Sequence, residues 1–191
     1  MNTQKPVIVV TGGNRGIGFE ICRQLAGRGA QVVLTARKPE AGQEAVKKLA
    51  TQKLSVQFHS LDITKAESTA ALRDFLERSF GRLDVLINNA GIITKGEASS
   101  LEVKLAAVRE TLETNALAPL HLSQTFAPLL KRSKAGRIVN ISSGMGQLSD
   151  MGGKDAERDV SQGAAGAVWL ALDAPQDLTG KFVRDHKVIP W

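Results

Sequence analysis

The chain has 191 residues, enough for one domain with a sizeable core and too few for two ordinary ones. With 42% hydrophobic and 23% charged residues it reads as a globular protein, and no window reaches the eighteen or so apolar residues that a membrane span needs. Its formal charge of +6 is spread along the chain, and six Phe, two Trp and no Tyr offer few platforms for bases, so a small anionic ligand fits better than nucleic acid. The single cysteine, Cys22, excludes an intramolecular disulfide and a cysteine-based zinc site. Gly12 and Gly13 interrupt the N-terminal apolar run at once, so a signal peptide is not expected there and the expected location is cytoplasmic.

Short β-branched runs alternate with longer helical patterns. The strands expected are Pro6–Val10, Gln31–Ala36, Ser55–Ser60, Val85–Asn88 and Arg137–Ile141, each a nearly continuous apolar run of the kind buried on both faces. Between them the spacing predicts helices over Phe19–Arg28, Glu40–Thr51, Glu67–Phe80 and Val103–Lys131, the last too long for one helix and expected to break near Pro119 or before it. Thr64 to Glu67 and Ser99 to Glu102 have capping-box spacing, and Pro39 suits a first helical turn. Strand and helix alternating in this way imply right-handed crossovers and a doubly wound, mostly parallel α/β sheet in a single domain over residues 1–191. The cluster Lys131, Arg132, Lys134 and Arg137 reads as a solvated helix end.

The first strand runs into Thr11–Gly–Gly–Asn–Arg–Gly–Ile–Gly18, which opens the first helix. Gly12 turns the chain, Gly16 admits close backbone approach to a pyrophosphate, and Gly18 lets helix pack on strand. The helix N-terminus then offers free N–H groups to phosphate oxygens. The bland alternative is an ordinary strand–helix turn, but this is the junction that a dinucleotide site requires. An NAD site also wants a carboxylate at the end of the second strand. Here stand Thr35, Ala36, Arg37 and Lys38, with no acid until Glu40. Arg37 and Arg15 suit a 2′-phosphate, unless both are merely solvated, and NADP(H) is the expected cofactor.

The glycine spacing T-G-x-x-x-G-x-G, with Asn88–Asn89–Ala90–Gly91 after the fourth strand, resembles the short-chain dehydrogenase/reductase family. The resemblance continues through Leu61–Asp62–Ile63, Asn115 and Ile141–Ser142–Ser143, and spans residues 6 to about 150. It implies a Rossmann fold with Asp62 at the adenine amino group and Ile63 beside it. It also implies Asn14, Arg15 and Ile17 in the glycine loop at the cofactor, and Asn89, Ala90 and Gly91 lining its pocket. Ser143 would orient a carbonyl substrate, and Asn115 would hold a helix bend and a proton-relay water. Ser161–Leu172 resembles the family's last helix, Thr179–Arg184 its last strand, and Lys187–Trp191 the ending of a carbonyl-reductase-like branch.

In that family a Tyr-x-x-x-Lys pair follows the serine by about a dozen residues, the tyrosine moving a proton and the lysine lowering its pKa. This sequence contains no tyrosine. The helix carrying the pair and the strand after it are missing as well, so the fold is expected to be truncated in its C-terminal half. The resemblance points to an in-frame deletion between two Asp-Met-Gly-Gly-like strings, with its junction near residues 150–154, where Asp150–Gly153 survives once. Lys154, Asp155 and the histidines His59, His121 and His186 offer no positioned substitute, and Ser143 alone is a poor base. The fifth strand would lack its neighbour, and Gly180–Val183 is expected to slide in beside it. An uncovered apolar face on Val103–Lys131 would favour association. Two functions follow: a carbonyl-reducing, NADPH-dependent oxidoreductase with impaired catalysis on aldehydes or ketones, or, alternatively, a non-catalytic NADP(H)-binding module or a truncated subunit that associates with intact homologues.

Overall fold

The computed structural model describes residues 5–93, 102–142 and 159–189. Five strands form one parallel sheet: β1 (Val7–Val10), β2 (Gln31–Ala36), β3 (Val56–Ser60), β4 (Val85–Asn88) and β5 (Arg137–Asn140). Their order, β3-β2-β1-β4-β5, reverses direction between β1 and β4, the crevice at which open α/β sheets bind ligands. Register follows the apolar runs, with Val9 opposite Val33 on one side and Leu86 on the other.

Alternation along each strand separates two cores. Ile8, Val10, Val32, Leu34, Val85 and Ile87 face one layer, built with Ile21, Cys22 and Leu25 of α1 (Gly16–Gly27), Ala45 and Leu49 of α2 (Pro39–Ala50), and Ala164, Ala167, Val168 and Ala171 of α6 (Val160–Leu172). Val7, Val9, Val33 and Leu86 face the other, against Leu72 and Leu76 of α3 (Ala66–Phe80) and Leu122, Phe126 and Leu129 of α5 (Ala118–Leu130). Two apolar layers on one sheet are the doubly wound arrangement that the sequence predicts.

The long pattern over Val103–Lys131 becomes α4 (Leu105–Leu112), a five-residue π turn (Glu113–Leu117) and α5. The interruption falls before Pro119, as expected, but it is a wide turn within a continuous helix. Pro39 does occupy the first turn of α2. The capping box expected at Thr64 is not made. Lys65 is the N-cap residue of α3 and caps nothing, because Thr64 Oγ1 and N both donate to Asp62 Oδ1, at 2.7 and 3.0 Å. Ser99 lies outside the described residues. A capping box does form where none was expected, between Asp159 and Gln162 at the start of α6.

The C-terminal strand differs most from expectation. Instead of joining β5, β6 (Phe182–Arg184) pairs antiparallel with β7 (Lys187–Ile189) in a separate two-stranded sheet. Asp185 and His186, with φ of 51° and 63°, make the two-residue turn whose twist suits a hairpin, so this segment satisfies itself locally. His186 stacks on Trp169 of α6, with centroids 4.8 Å apart. Arg137, expected in a solvated cluster, is half-buried instead. Its guanidinium donates to Leu170 O and Ala174 O, tying β5 to the end of α6.

Candidate cofactor site

Thr11, at the end of β1, is buried and organises the crevice. Its hydroxyl donates to Ile87 O at 3.3 Å and accepts from the amides of Asn89 and Ala90, each at 2.9 Å. Asn89 Nδ2 reaches back to Thr11 O at 2.9 Å and Gly12 O at 3.3 Å, and Gly13 N donates to Thr35 O at 2.9 Å. The glycine loop is therefore fastened to β4 on one side and β2 on the other.

The glycines divide the remaining work. Gly12 has φ of 64°, and a Cβ there would sit 3.1 Å from Ala90 Cα. A Cβ on Gly18 would come within 2.4 Å of both Gly12 O and Asn89 Nδ2, so only glycine lets α1 start against the loop. Gly16, with φ of 56°, faces open space with nothing within 4 Å of a Cβ. A tight turn, a packed helix start and a bare open backbone between them fit the phosphates of a dinucleotide.

Around this loop Arg15, Gly16, Ile17 and Arg37 are exposed and Asn14 is half-buried. None of the ion pairs among the described residues involves Arg15, Arg37 or Lys38. Half-buried Asp62 has Oδ1 committed to Thr64, while buried Ile63 packs in the core beneath it. Exposed Gly91 follows Asn89 and Ala90 along the crevice wall, where a Cβ would lie 3.4 Å from Asn115 Oδ1. Asn115 sits in the π turn, accepts from Ile92 N at 2.9 Å and donates to Ile92 O at 2.8 Å. The helix bend and the segment after β4 are thus clamped by one amide. Ser143 and the 150–154 junction lie outside the described residues.

Two residues of the quoted motifs have bonding roles that the sequence does not assign. Thr11 does the most bonding, and its signal was a lone hydroxyl ending an apolar strand. Asn88, at 5% exposure, donates to Asn140 Oδ1 at 2.8 Å, while its own Oδ1 has no partner among the described residues. The side chain of Asn89 turns inward to hold the loop. His59 packs on Phe75, 5.1 Å between centroids.

A parallel sheet in this order, with an interlocked glycine turn at its first strand–helix junction, defines a dinucleotide-binding α/β protein. The family model described as short chain dehydrogenase matches residues 6–154, and the chain belongs to that family of oxidoreductases. It is 43% identical over 163 residues to (+)-neomenthol dehydrogenase of Arabidopsis thaliana, covering 75% of this chain and 55% of that protein. It is 45% identical over 144 residues to carbonyl reductase [NADPH] 1 of Mus musculus, covering 75% and 50%. Among solved structures, salutaridine reductase from Papaver somniferum superposes with a TM-score of 0.66 at 37% identity, covering 74% of this chain and 58% of that one. A metagenomic short-chain oxidoreductase in complex with NADP gives 0.68 at 36% identity, covering 76% and 65%. The chain spans between half and two thirds of the length of these relatives.

Proposed function

We propose that the chain binds NADP(H) and descends from enzymes that reduce aldehydes or ketones, with its own turnover impaired. The observation that carries this reading is the interlocked glycine turn beside Arg15 and Arg37, which make no ion pair among the described residues, with no carboxylate at the end of β2. An adenosine ribose without a 2′-phosphate needs an acid there, and a 2′-phosphate needs cations. Relatives named for NADP or NADPH agree with that choice.

When bound, NADPH supplies the hydride for a carbonyl carbon. In this chain, Gly12, Asn14, Gly16, Ile17, Gly18 and the first amides of α1 receive the phosphates, and Arg15 and Arg37 take the 2′-phosphate. Asp62 and Ile63 border the adenine, while Asn89, Ala90 and Gly91 shape the wall. Ser143 donates a hydrogen bond to the substrate oxygen, and Asn115 holds the adjoining backbone. An unactivated serine does not deliver a proton at neutral pH, and the sequence has no tyrosine to do so.

The test is a fluorescence titration of NADPH and NADH, followed by NADPH consumption with a panel of aldehydes, ketones and quinones. NADPH is expected to bind at least about tenfold tighter than NADH. Turnover is expected to fall roughly 100- to 10,000-fold below that of an intact relative, the share that a general acid supplies. Turnover at the level of an intact relative would remove the impairment, and absence of NADPH binding would remove the whole reading.

A second reading, a truncated subunit that associates with intact homologues or with itself, is favoured by one observation. Leu105, Leu112, Leu117 and Leu120 on α4, the π turn and α5 are 69%, 55%, 53% and 56% exposed. Co-purification of a tagged copy with an untagged one, absent for a variant carrying glutamates at Leu117 and Leu120, distinguishes it.

A further inference from the structure

We propose that Lys104 is a further cation for the cofactor's 2′-phosphate, beside Arg15 and Arg37 and lining the same cavity as Arg37; the proposal rests on the NADP(H) reading above and deepens it. A cavity of about 350 Å³ is lined by Arg37 after β2, Ile92 after β4, and Lys104, Ala107 and Glu110 along α4 and its N-cap. Among the described residues neither cation has an ion-pair partner. Glu110 lines the same cavity, so the lining carries two cations against one carboxylate.

Local helix energetics do not account for a lysine at this position. Lys104 is the N-cap residue of α4, extended at φ −72° and ψ 129°, and its side chain caps nothing. N-caps favour Ser, Thr, Asp or Asn, and a cation there opposes the helix dipole. Arg15, Lys38 and Lys65 occupy the same position at the starts of α1, α2 and α3, again without a side-chain cap, whereas α6 begins with a complete Asp159 box. The helices after β1 to β4 therefore all begin on a cation at the rim where the cofactor sits. A phosphate group bound by Arg37 and Lys104 accounts for both side chains and for the cavity that they line, since charge-assisted bonds to phosphate offset the unfavourable cap.

The experiment compares dissociation constants for NADPH and NADH in wild type, Lys104→Met and Lys104→Arg at one ionic strength, with melting temperatures alongside. Lys104→Met is expected to weaken NADPH about fivefold to tenfold and NADH less than about twofold, with an unchanged melting temperature. Lys104→Arg is expected to keep NADPH affinity within about twofold. Unchanged NADPH affinity in Lys104→Met would overturn the proposal. So would an equal loss for both nucleotides, which assigns the lysine to the shared pyrophosphate. Wild type that binds neither nucleotide overturns the NADP(H) reading and this proposal together; tight NADPH binding that is indifferent to Lys104 overturns this proposal alone.

Discussion

Thr11 shows how much one hydroxyl decides. It serves three backbone groups from a buried position, so an isosteric Thr11→Val variant leaves the Asn89 and Ala90 amides without their acceptor. Losing the acceptor for these two part-buried N–H groups costs about 1–3 kcal/mol, and urea denaturation is expected to show that loss together with weaker NADPH binding. Gly18→Ala acts by contact instead of bonding. Its methyl meets Gly12 O and Asn89 Nδ2 at 2.4 Å, so the loop must open, at about 1–3 kcal/mol with NADPH affinity reduced at least about tenfold. A variant that keeps both stability and affinity would show that the loop relaxes freely. At this scale the glycines were legible because spacing and φ requirements are local properties. The inward turn of Asn89 and the hydroxyl of Thr11 were not, because their partners lie on strands distant in sequence.

The elements follow from apolar periodicity where burial is two-sided, and less well where it is not. β2 and β4 begin and end where their β-branched runs do, since every residue between is held by neighbours on both sides. The failed cap at Thr64 and the separate β6–β7 hairpin lie at the periphery, where a short-range bond wins over a motif. The π turn could not be read from composition, because ETNAL suits an α-helix equally well, and its extra width is set by Asn115 clamping Ile92. The docking of α6 is a contact between elements with its own pH signature. Arg28 binds both carboxylate oxygens of Asp173 at 2.6 and 2.7 Å, joining α1 to the end of α6. The Arg28 hydrogen bonds hold the Asp173 carboxyl below the usual aspartate range, against a smaller opposing effect of burial. A depressed carboxylate stabilises the fold above its unfolded pKa and loses that contribution as pH falls through and below about 4. Both partners are partly exposed, so the effect is below about 1 kcal/mol. Asp173→Asn is expected to flatten this part of the acid-denaturation curve, and an unaltered curve would show that the pair is idle.

For the whole molecule the unusual feature is what stays uncovered. Among the described residues β5 pairs with β4 alone, Ile138 is 43% exposed, and Leu105, Leu112, Leu117 and Leu120 are exposed as well. Apolar surface and an open strand edge together favour association. Sedimentation is expected to show mass rising with concentration for wild type, and Leu117→Glu with Leu120→Glu is expected to shift it toward the monomer. Equal mass at all concentrations would show that the face is tolerated in water. The sequence leads to the expectation that β5 lacks its usual neighbour and that Gly180–Val183 replaces it; among the described residues that segment instead pairs within its own hairpin, because a two-residue turn satisfies it locally.

The tie between Thr11 and Asn89 joins residues 78 positions apart. A chain emerging from the ribosome therefore carries its phosphate-binding loop long before it carries the amides that shape it. The loop lacks these partners until β4 (Val85–Asn88) arrives and seats beside β1, a long closure that is reached near the middle of synthesis. Nucleotide affinity thus becomes a clock for assembly. In a series of stalled nascent chains it should be absent through the third crossover and switch on in a single step once Ile87 to Ala90 are free to fold.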